Sequence, residues 1–191
     1  MKAVALALLL FNFDADKAGE MAKGWEAAVG TWTVAADDTA PSKPNVLAQT
    51  AAGPSPQFNV ALATGTKFKD FDLSVKLKAV SGKIDQGGGP VWRAKDARNY
   101  YLCRWNPLET NFRLYKVVDG KRTQLATADV KAEAGWHTIR VFAEGNAVVC
   151  HFDGKEVVGA KDDTFKDAGR VGLWTKADAV THFDDVSVTA K

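Results

Sequence analysis

Cysteine is scarce in this chain of 191 residues, which contains only Cys103 and Cys150. Each lies inside a run with the composition of a β-strand, YYLCRW and VVCHF. A domain of this length can bury enough apolar surface to fold without a disulfide scaffold, so the class of small disulfide-stapled proteins is excluded. The sequence leaves two alternatives open, a single disulfide or two buried thiols.

An excess of charge of either sign is also missing, because 25 Lys and Arg residues stand against 23 Asp and Glu residues for a net charge of +2. Acidic residues are interspersed with basic ones along the chain, so no basic stripe forms. Such a balance provides no electrostatic reason to bind nucleic acid or an anionic membrane surface. We therefore expect neither partner.

No stretch of the chain is apolar for long enough to span a membrane, which takes about 20 residues of helix. The apolar run Ala3–Leu10 follows Lys2 and has the length of a short signal-peptide core, but no small-residue cleavage site follows it before Phe11. Residues 1–10 are therefore interpreted either as the remnant of a secretory signal or as an N-terminal strand. Residues 11–191 are interpreted as one domain.

Motifs of nucleotide and hydrolase chemistry are missing too, since there is no P-loop, dinucleotide fingerprint or nucleophile elbow. The glycine-rich segment QGGGP precedes a strand, so it offers no helix N-terminus to a phosphate. His137, His151 and His182 lie on different predicted strands without metal-ligand spacing. We expect separate histidines rather than a zinc site.

What the sequence does contain is alternation with a period of two. In FDLSVKLKAV, the apolar residues from Phe71 to Ala79 fall on one face, and Asp72, Ser74, Lys76 and Lys78 fall on the other. This pattern predicts a half-buried strand of an antiparallel sheet. WHTIRVFA, NAVVCHF and VTHFDDVSV alternate similarly.

Turn signals separate about a dozen such runs, and Asp119-Gly120 and Asp153-Gly154 are strong hairpin signals. The best helix candidate, Asp16–Met21, is short, and the segment Asp37–Pro56 is predicted to be a loop interrupted by one short strand, NVLAQT. Many strands without intervening helices predict an all-β fold, an antiparallel two-sheet sandwich or jelly roll.

Several motifs follow one another in a familiar order: FDADKAG, SGKIDQGGGPVWR, NYYLCRWNPLETNFRLYKVVDGKR, GWHTIRV, FDGK and VGLWTKADAVTHFDDVSV. Together they resemble a bacterial family of concanavalin A-like jelly-roll proteins, the 3-keto-disaccharide hydrolase-like domains, which are related in fold to family 16 glycoside hydrolases and laminin G-like domains. The resemblance runs from about Phe13 to Val188. It implies two antiparallel sheets, a concave face across which relatives bind sugars, and a secreted or periplasmic location.

The sequence departs from the family 16 enzymes because no strand carries their spaced carboxylates. A retaining glycosidase needs two carboxyl groups about 5–5.5 Å apart. None of the glutamates has such a partner, and Asp70 and Asp72 begin a strand whose polar face should meet solvent. A retaining glucanase mechanism is therefore not expected, and whether the domain is an enzyme stays open, with Glu109 a weak candidate for a catalytic group.

Polar and aromatic residues concentrate in the middle of the chain and near its end. Sugars are bound by flat apolar faces together with planar hydrogen-bonding groups, which Trp, Tyr, Arg, Asn and Glu supply. The candidate sugar-binding residues are Arg93, Tyr101, Arg104, Trp105, Asn106, Glu109, Asn111, Arg113, Trp174 and Lys176. The alternative is a structural network in which Glu109 pairs with an arginine, the asparagines cap a turn, and Trp174 belongs to the core.

A calcium site is a further expectation from the resemblance, since relatives often bind calcium where the terminal strands meet. Asp184, before the alternating VSV run, matches that position, with Asp14 or Asp16 as its companion. The alternative is that these are turn or surface aspartates. No other cofactor is expected.

Three functions are consistent with these observations. The first is an extracytoplasmic, lectin-like domain that binds glycans on its concave face. The second is a hydrolase or lyase acting on glycosides or 3-keto-glycosides, with Glu109 or a histidine as acid or base. The third is a structural or adhesive domain without a small-molecule ligand.

Overall fold

The computed structural model describes residues 8–191, and these residues form fifteen β-strands and no helix. In chain order the strands are β1 (Leu8–Phe11), β2 (Trp25–Val29), β3 (Trp32–Ala36), β4 (Asn45–Gln49), β5 (Phe58–Ala63), β6 (Phe71–Ser81), β7 (Gly89–Asp96), β8 (Asn99–Asn106), β9 (Asn111–Val118), β10 (Lys121–Asp129), β11 (Trp136–Glu144), β12 (Ala147–Phe152), β13 (Lys155–Lys161), β14 (Arg170–Lys176) and β15 (Val180–Ala190). Over the same residues, no helix is long and apolar enough to cross a membrane.

The strands form two antiparallel sheets packed face to face. The eight-stranded sheet has the order β13-β12-β11-β6-β15-β4-β3, with β1 paired to β15, and the seven-stranded sheet has the order β10-β9-β8-β7-β14-β5-β2. This arrangement is the predicted all-β sandwich of jelly-roll type. The pairing of β1 places Leu8–Phe11 in a strand, while the interpretation of residues 1–7 lies outside the described residues.

The alternation in the sequence accounts for the strand faces. On β6, Phe71, Leu73, Val75 and Leu77 are fully buried between the sheets, while the polar residues between them are partly exposed. Removing such apolar side chains from water contributes roughly 1.5–3 kcal/mol each to folding. The prediction for this strand is confirmed.

The two Asp-Gly hairpins are confirmed as well. Asp119 and Gly120 have φ angles of 51° and 81° between β9 and β10, and Asp153 and Gly154 have φ angles of 48° and 80° between β12 and β13. Two successive residues with positive φ make a type I′ turn, whose twist matches that of the paired strands.

The helix predicted over Asp16–Met21 is wrong, since this segment consists of turns. Gly19 adopts a φ angle of 87°, and its N–H donates to the carbonyl of Val34, while the Val34 N–H donates to the carbonyl of Glu20. These bonds tie the segment to β3 and leave its backbone groups unable to form helical hydrogen bonds.

The glycine-rich segment QGGGP has a packing role at the entry to β7. A Cβ atom at Gly87 or at Gly89 would lie 2.2 Å from the backbone oxygen of Trp105 or of Cys103, respectively. Only glycine permits this close approach of the segment to β8. The segment therefore holds the preceding residues, among them Asp85, beside the end of β8.

Tryptophans and both cysteines contribute to the core between the sheets. Trp25, Trp32 and Trp92 are buried there, whereas Trp136 is only half-buried, with its Nε1 donating to the Thr39 hydroxyl. Cys103 on β8 and Cys150 on β12 are buried free thiols, so the alternative without a disulfide holds in this structure. Burial, together with the neighbouring Cys150, raises the pKa of the Cys103 thiol well above its usual value.

Candidate functional site

The alternation of β8 divides the predicted site residues between two faces of the seven-stranded sheet. Tyr101, Cys103 and Trp105 point into the core between the sheets. Arg104 and Asn106 therefore point to the outer side, where Tyr100 and Leu102 form a separate apolar cluster. We call this outer side the arginine face, because it carries Arg104 on β8, Arg113 on β9 and Arg122 on β10.

Glu109 lies in the turn between β8 and β9 and joins two of these arginines. Arg104 Nη2 donates to Glu109 Oε2 at 2.8 Å, and Arg113 Nη1 lies 3.3 Å from the same oxygen. Asn111 Nδ2 donates to Glu109 Oε2 at 3.2 Å, while Asn111 Oδ1 accepts a hydrogen bond from Arg104 Nη1. Arg104 is only 2% exposed, so this buried guanidinium depends on these partners.

A second carboxylate extends the network from the other side. Asn106 Oδ1 accepts the Glu109 N–H at 3.1 Å, and Asn106 Nδ2 donates to Asp85 Oδ1 at 2.8 Å. Lys176 Nζ on β14 lies 3.1 Å from Asp85 Oδ2. The contacts of Glu109 and Asn106 agree with the structural network that the sequence left open as an alternative, and they place six candidate residues on one face.

Three aromatic rings and Arg122 complete the arginine face. The Arg122 guanidinium carbon lies 4.3 Å from the ring centroid of Tyr115, 5.2 Å from that of Phe58 and 5.6 Å from that of Trp174. A guanidinium over aromatic faces at such distances is attracted to the ring quadrupoles. Trp174 is only 1% and Tyr115 only 3% exposed, so Arg122 covers the rings that a sugar would stack on.

These contacts also show that the face is concave. Five strand-to-strand steps separate β10, which carries Arg122, from β5, which carries Phe58. In a flat sheet this separation is about 24 Å. An arginine and a phenylalanine side chain are too short to bridge such a distance, so the sheet curves toward the arginine face.

Buried donors without partners are concentrated on this face. Among the described residues, Arg104 Nε, Arg113 Nε and Arg122 Nη1 are buried and have no hydrogen-bond partner. Tyr100 Oη and Trp174 Nε1 lie beside one another without the alignment of a hydrogen bond. Because buried polar groups are nearly always satisfied, such a concentration indicates that something outside the chain, water or a ligand, completes these bonds.

The titration behaviour of the face favours charged groups over proton donors. Burial raises the pKa of Glu109, but hydrogen bonds from Asn111 and Arg104 and the charges of Arg104 and Arg113 outweigh it, so the pKa lies below its ordinary value. Glu109 is therefore a carboxylate at neutral pH and a poor general acid. Burial lowers the pKa of Arg122, although a guanidinium remains charged.

Three of the predicted binding residues do not reach the arginine face. Trp105 is 1% exposed in the intersheet core, with its ring centroid 4.7 Å from that of His137. Tyr101 points into the same core, where its hydroxyl donates to Asp162 Oδ1 at 2.6 Å. Trp105 and Tyr101 are odd-numbered neighbours of Arg104 on β8, so the pleat directs them to the opposite side.

Arg93 is held elsewhere as well. Its guanidinium donates to the carbonyls of Lys69, Phe165 and Gly145 at 2.9, 3.1 and 2.7 Å, and it lies 3.4 Å from Asp70. Arg93 has a positive φ angle of 46° and lies where the pairing of β7 with β8 is irregular. Its side chain therefore does not follow the regular alternation of a strand. These four contacts give it a structural role in tying loops together.

Sequence reasoning missed Asp85, Arg122 and Phe58. Asp85 lies in a loop, and its contact with Lys176 joins residues 91 positions apart. Arg122 carried one available signal, since it follows the Asp-Gly turn and its register pairs it with Val117 on the face of Tyr115. Phe58 had no such signal, because only the curvature of the sheet brings it to Arg122.

A wide depression of about 500 Å³ lies on the outer side of the other sheet. It is lined by Asp72, Ser74, Thr138, Arg140, Asp153, Gly154, Ser187 and Thr189. Arg140 and Asp72 in this depression pair with each other, since Arg140 Nε donates to Asp72 Oδ1 at 2.9 Å. The depression offers space without unpaired buried donors, and we therefore place the candidate site on the arginine face.

The predicted calcium residues Asp184, on β15, and Asp14 both accept hydrogen bonds from the segment before and at the start of β4. Asp184 is fully buried, and its carboxylate accepts hydrogen bonds from the Ser42 N–H at 2.8 Å and the Asp185 N–H at 2.7 Å. Asp14 accepts a hydrogen bond from the Asn45 N–H at 3.3 Å. Burial raises the pKa of Asp184, and no cationic side chain of residues 8–191 pairs with it, so a cation there would compensate a buried charge.

The fit to calcium is partial. Within the part of the chain that the structure describes, no group of three His, Cys, Asp or Glu side chains is arranged to hold a metal ion. Calcium takes six to eight oxygens, so backbone carbonyls and water would have to supply most of them around Asp184. The calcium site stays a prediction.

Comparison with solved structures supports the fold. The chain is similar to the carbohydrate-binding module CBM66 from Bacillus subtilis, with a TM-score of 0.73 and 22% identity over 87% of this chain and 96% of that one. It is also similar to domain 4 of the extracellular GH43 arabinanase AbnA from Geobacillus stearothermophilus, solved with arabinotriose, with a TM-score of 0.62 and 13% identity over 97% and 93% of the two chains. A prokaryotic β-1,3-1,4-glucanase (lichenase) from a mouse hindgut metagenome gives a TM-score of 0.61 and 14% identity over 96% of this chain and 98% of that one.

At these identities the similarity establishes the sandwich and no activity. No curated protein matches the sequence. A family model does match, and it covers residues 7–189, almost the whole chain. The chain thus belongs to the family of 3-keto-alpha-glucoside-1,2-lyase-like domains, in agreement with the resemblance that its motifs indicated.

Proposed function

We propose that the arginine face binds carbohydrate and that the domain acts outside the cytoplasm, secreted or periplasmic, as a lectin-like module. The observation that carries this proposal is the set of buried donors on Arg104, Arg113 and Arg122 that lack partners within the described residues. Sugar hydroxyls and ring oxygens are the acceptors that such donors need, and the curved sheet gathers the donors above aromatic rings.

The similarity to carbohydrate-binding modules supports the proposal through the fold alone. The similar arabinanase domain was solved with arabinotriose, and in this chain the curved, polar and aromatic face is the one with unsatisfied donors. The eight-stranded sheet has no comparable set among the described residues. A binding module needs no general acid, which agrees with the lowered pKa of Glu109.

A glycan array followed by calorimetry with the best ligand tests this function. Arg104→Ala removes the buried guanidinium that positions Glu109 and Asn111, and we expect it to weaken binding at least tenfold in protein that thermal unfolding shows to be folded. Arg140→Ala, on the opposite sheet, is the matched control and should bind as the wild type does. Equal binding by all three proteins would place the site elsewhere.

A second function has support from the family itself, whose name describes a 1,2-lyase acting on 3-keto-glucosides. Such a lyase removes the proton at C2, which the adjacent ketone acidifies, and therefore needs a general base. The histidines lie on β11, β12 and β15 of the eight-stranded sheet, so they are poorly placed to act here. The carboxylates of Glu109 and Asp85 are the bases that the arginine face offers.

An aryl 3-keto-α-glucoside with a chromogenic leaving group distinguishes the lyase from the module. Release of the phenol by the wild type, lost in Glu109→Gln or Asp85→Asn and retained in Arg140→Ala, would establish the lyase. Binding of a 3-keto-glucoside without release of the phenol would favour the module.

A further inference from the structure

The charges of the arginine face do not balance. Apart from the Arg170–Glu26 pair at the β2 end of the sheet, four cationic side chains, Arg104, Arg113, Arg122 and Lys176, meet two carboxylates, Asp85 and Glu109. Glu109 is shared by Arg104 and Arg113, and Asp85 is taken by Lys176. Asp129 lies at the rim opposite Asn111, but it is exposed and forms no ion pair with any of the described residues.

Arg122 is the unbalanced cation. Its guanidinium forms no hydrogen bond or ion pair within residues 8–191, and its Nη1 is buried. The nearest groups around it are the rings of Tyr115, Phe58 and Trp174. Aromatic faces satisfy the flat sides of a guanidinium, and the edge formed by Nε and Nη2, which unlike Nη1 is not buried, is free for an acceptor.

The neighbouring charges do not neutralise Arg122 either. Burial and the charge of Arg104 lower the pKa of Arg122. Tyr115, Asp85 and Glu109 raise this pKa, but by less. A half-buried cation without a counter-ion is costly unless a bound anion or water compensates it. Arginine presents its N–H groups as a planar fork whose geometry matches the two oxygens of a carboxylate.

We infer that the ligand of the arginine face is an acidic glycan, and that Arg122 binds the carboxylate of a uronic acid residue. This inference rests on the proposed carbohydrate-binding function and adds the chemical class of the sugar. The rings of Tyr115, Phe58 and Trp174 hold the guanidinium in place, and the partly exposed side chain of Arg113 contacts the oxygens of the adjoining sugar.

Polygalacturonate oligosaccharides and their methyl esters provide a matched pair of probes, because esterification removes the charge and keeps the sugar backbone. Calorimetry with both probes, and with a panel of neutral oligosaccharides, is carried out on the wild type, Arg122→Met and Arg122→Lys. Arg140→Met, which removes a charge of the same type from the opposite sheet, is the control. Thermal unfolding of each variant verifies that it is folded.

We expect the wild type to bind the acidic oligosaccharide at least tenfold more tightly than its ester, and this preference should shrink at high salt as the charges are screened. Arg122→Met should abolish the preference, Arg122→Lys should retain part of it, and Arg140→Met should retain all of it. An equal affinity for acid and ester, or a preference that survives in Arg122→Met, would overturn the inference.

The outcome for the neutral panel separates this inference from the function on which it rests. Binding of neutral sugars that depends on Arg104 and not on Arg122 would leave the carbohydrate-binding function standing and refute the acidic ligand. Failure of the folded wild type to bind any acidic or neutral glycan would refute both.

Discussion

The two outer faces of the sandwich both carry charged side chains but arrange them differently. On the eight-stranded sheet, charges occur as closed pairs, such as Arg140 with Asp72 and Lys76 with Asp185. On the arginine face, two arginines share Glu109, and Arg122 pairs with none of the described residues. The eight-stranded face has a depression of about 500 Å³, and the seven-stranded face has the unsatisfied donors. We therefore place the candidate site where bonding capacity is unmet and not where space is open.

The largest expected effect concerns the stability of the buried network. Arg104→Ala leaves the partners of a guanidinium that is 2% exposed without their donor, and we expect the free energy of unfolding to fall by about 3 kcal/mol. Arg140→Ala removes the partly exposed ion pair with Asp72 and should lower the free energy of unfolding by less than about 1 kcal/mol. Urea denaturation of both variants measures the difference, and equal losses would show that the two faces do not differ in this respect.

Acid should unfold the protein partly through the eight-stranded sheet. Burial raises the pKa of Asp37, but hydrogen bonds from Lys78, Thr39 and His182 outweigh it and hold the pKa far below its usual value. A carboxylate with a depressed folded-state pKa contributes stability above its unfolded pKa of about 3.9, and this contribution is lost as the pH falls below that value.

Denaturation of Asp37→Asn between pH 6 and pH 2 measures this contribution. The variant should be less stable than the wild type near pH 6, and the gap should narrow as the pH falls. Glu109→Gln, on the arginine face, provides the comparison, because hydrogen bonds from Asn111 and Arg104 lower the pKa of this carboxylate too. A gap that stays constant with pH would contradict the role of Asp37.

Removing the shared carboxylate should sharpen the difference between the faces. Glu109→Gln removes the carboxylate that Arg104 and Arg113 share, so the net charge of the arginine face becomes more positive by one. If the ligand is acidic, we expect the variant to bind it about fivefold more tightly at low salt, which corresponds to about 1 kcal/mol of screened attraction. Calorimetry at two salt concentrations measures this gain, and weaker binding would assign Glu109 to direct contact with sugar hydroxyls.

The smallest expected effect concerns Asp184, the exception on the eight-stranded sheet. This carboxylate is fully buried without a cationic partner among the described residues, so a cation bound there should raise the melting temperature by a few degrees through mass action. Calcium should produce this shift in the wild type and not in Asp184→Asn, and magnesium serves as the control ion. A shift of equal size in the variant would assign the calcium effect to another part of the surface.

Much of the fold could be predicted because its determinants are local. The period-two alternation of FDLSVKLKAV and the Asp-Gly turns act over a few residues, and both appear in the structure as predicted. The helix predicted over Asp16–Met21 failed because hydrogen bonds to Val34, a partner distant in sequence, compete with local helical bonding.

The candidate site could be predicted only in part. Arg104, Asn106, Glu109, Asn111 and Arg113 come from two adjacent strands and the turn between them, so their proximity follows from the hairpin. Trp105 and Tyr101 were assigned to the same cluster because they are neighbours in the sequence, yet the pleat of β8 directs them into the core. Asp85 and Phe58 reach the face from distant segments, and no spacing in the sequence indicates this.

The sequence by itself determined the all-β class, the hairpins and the family, since alternation, turn chemistry and the order of motifs are properties of the chain alone. Only the tertiary structure decided which side chains share a face and which charges remain without a partner. The physical reason is the curvature of the seven-stranded sheet, which brings Arg122 on its edge strand to Phe58 five strand positions away. Sheet curvature arises from the packing of all strands together, and it therefore has no signature in any local stretch of sequence.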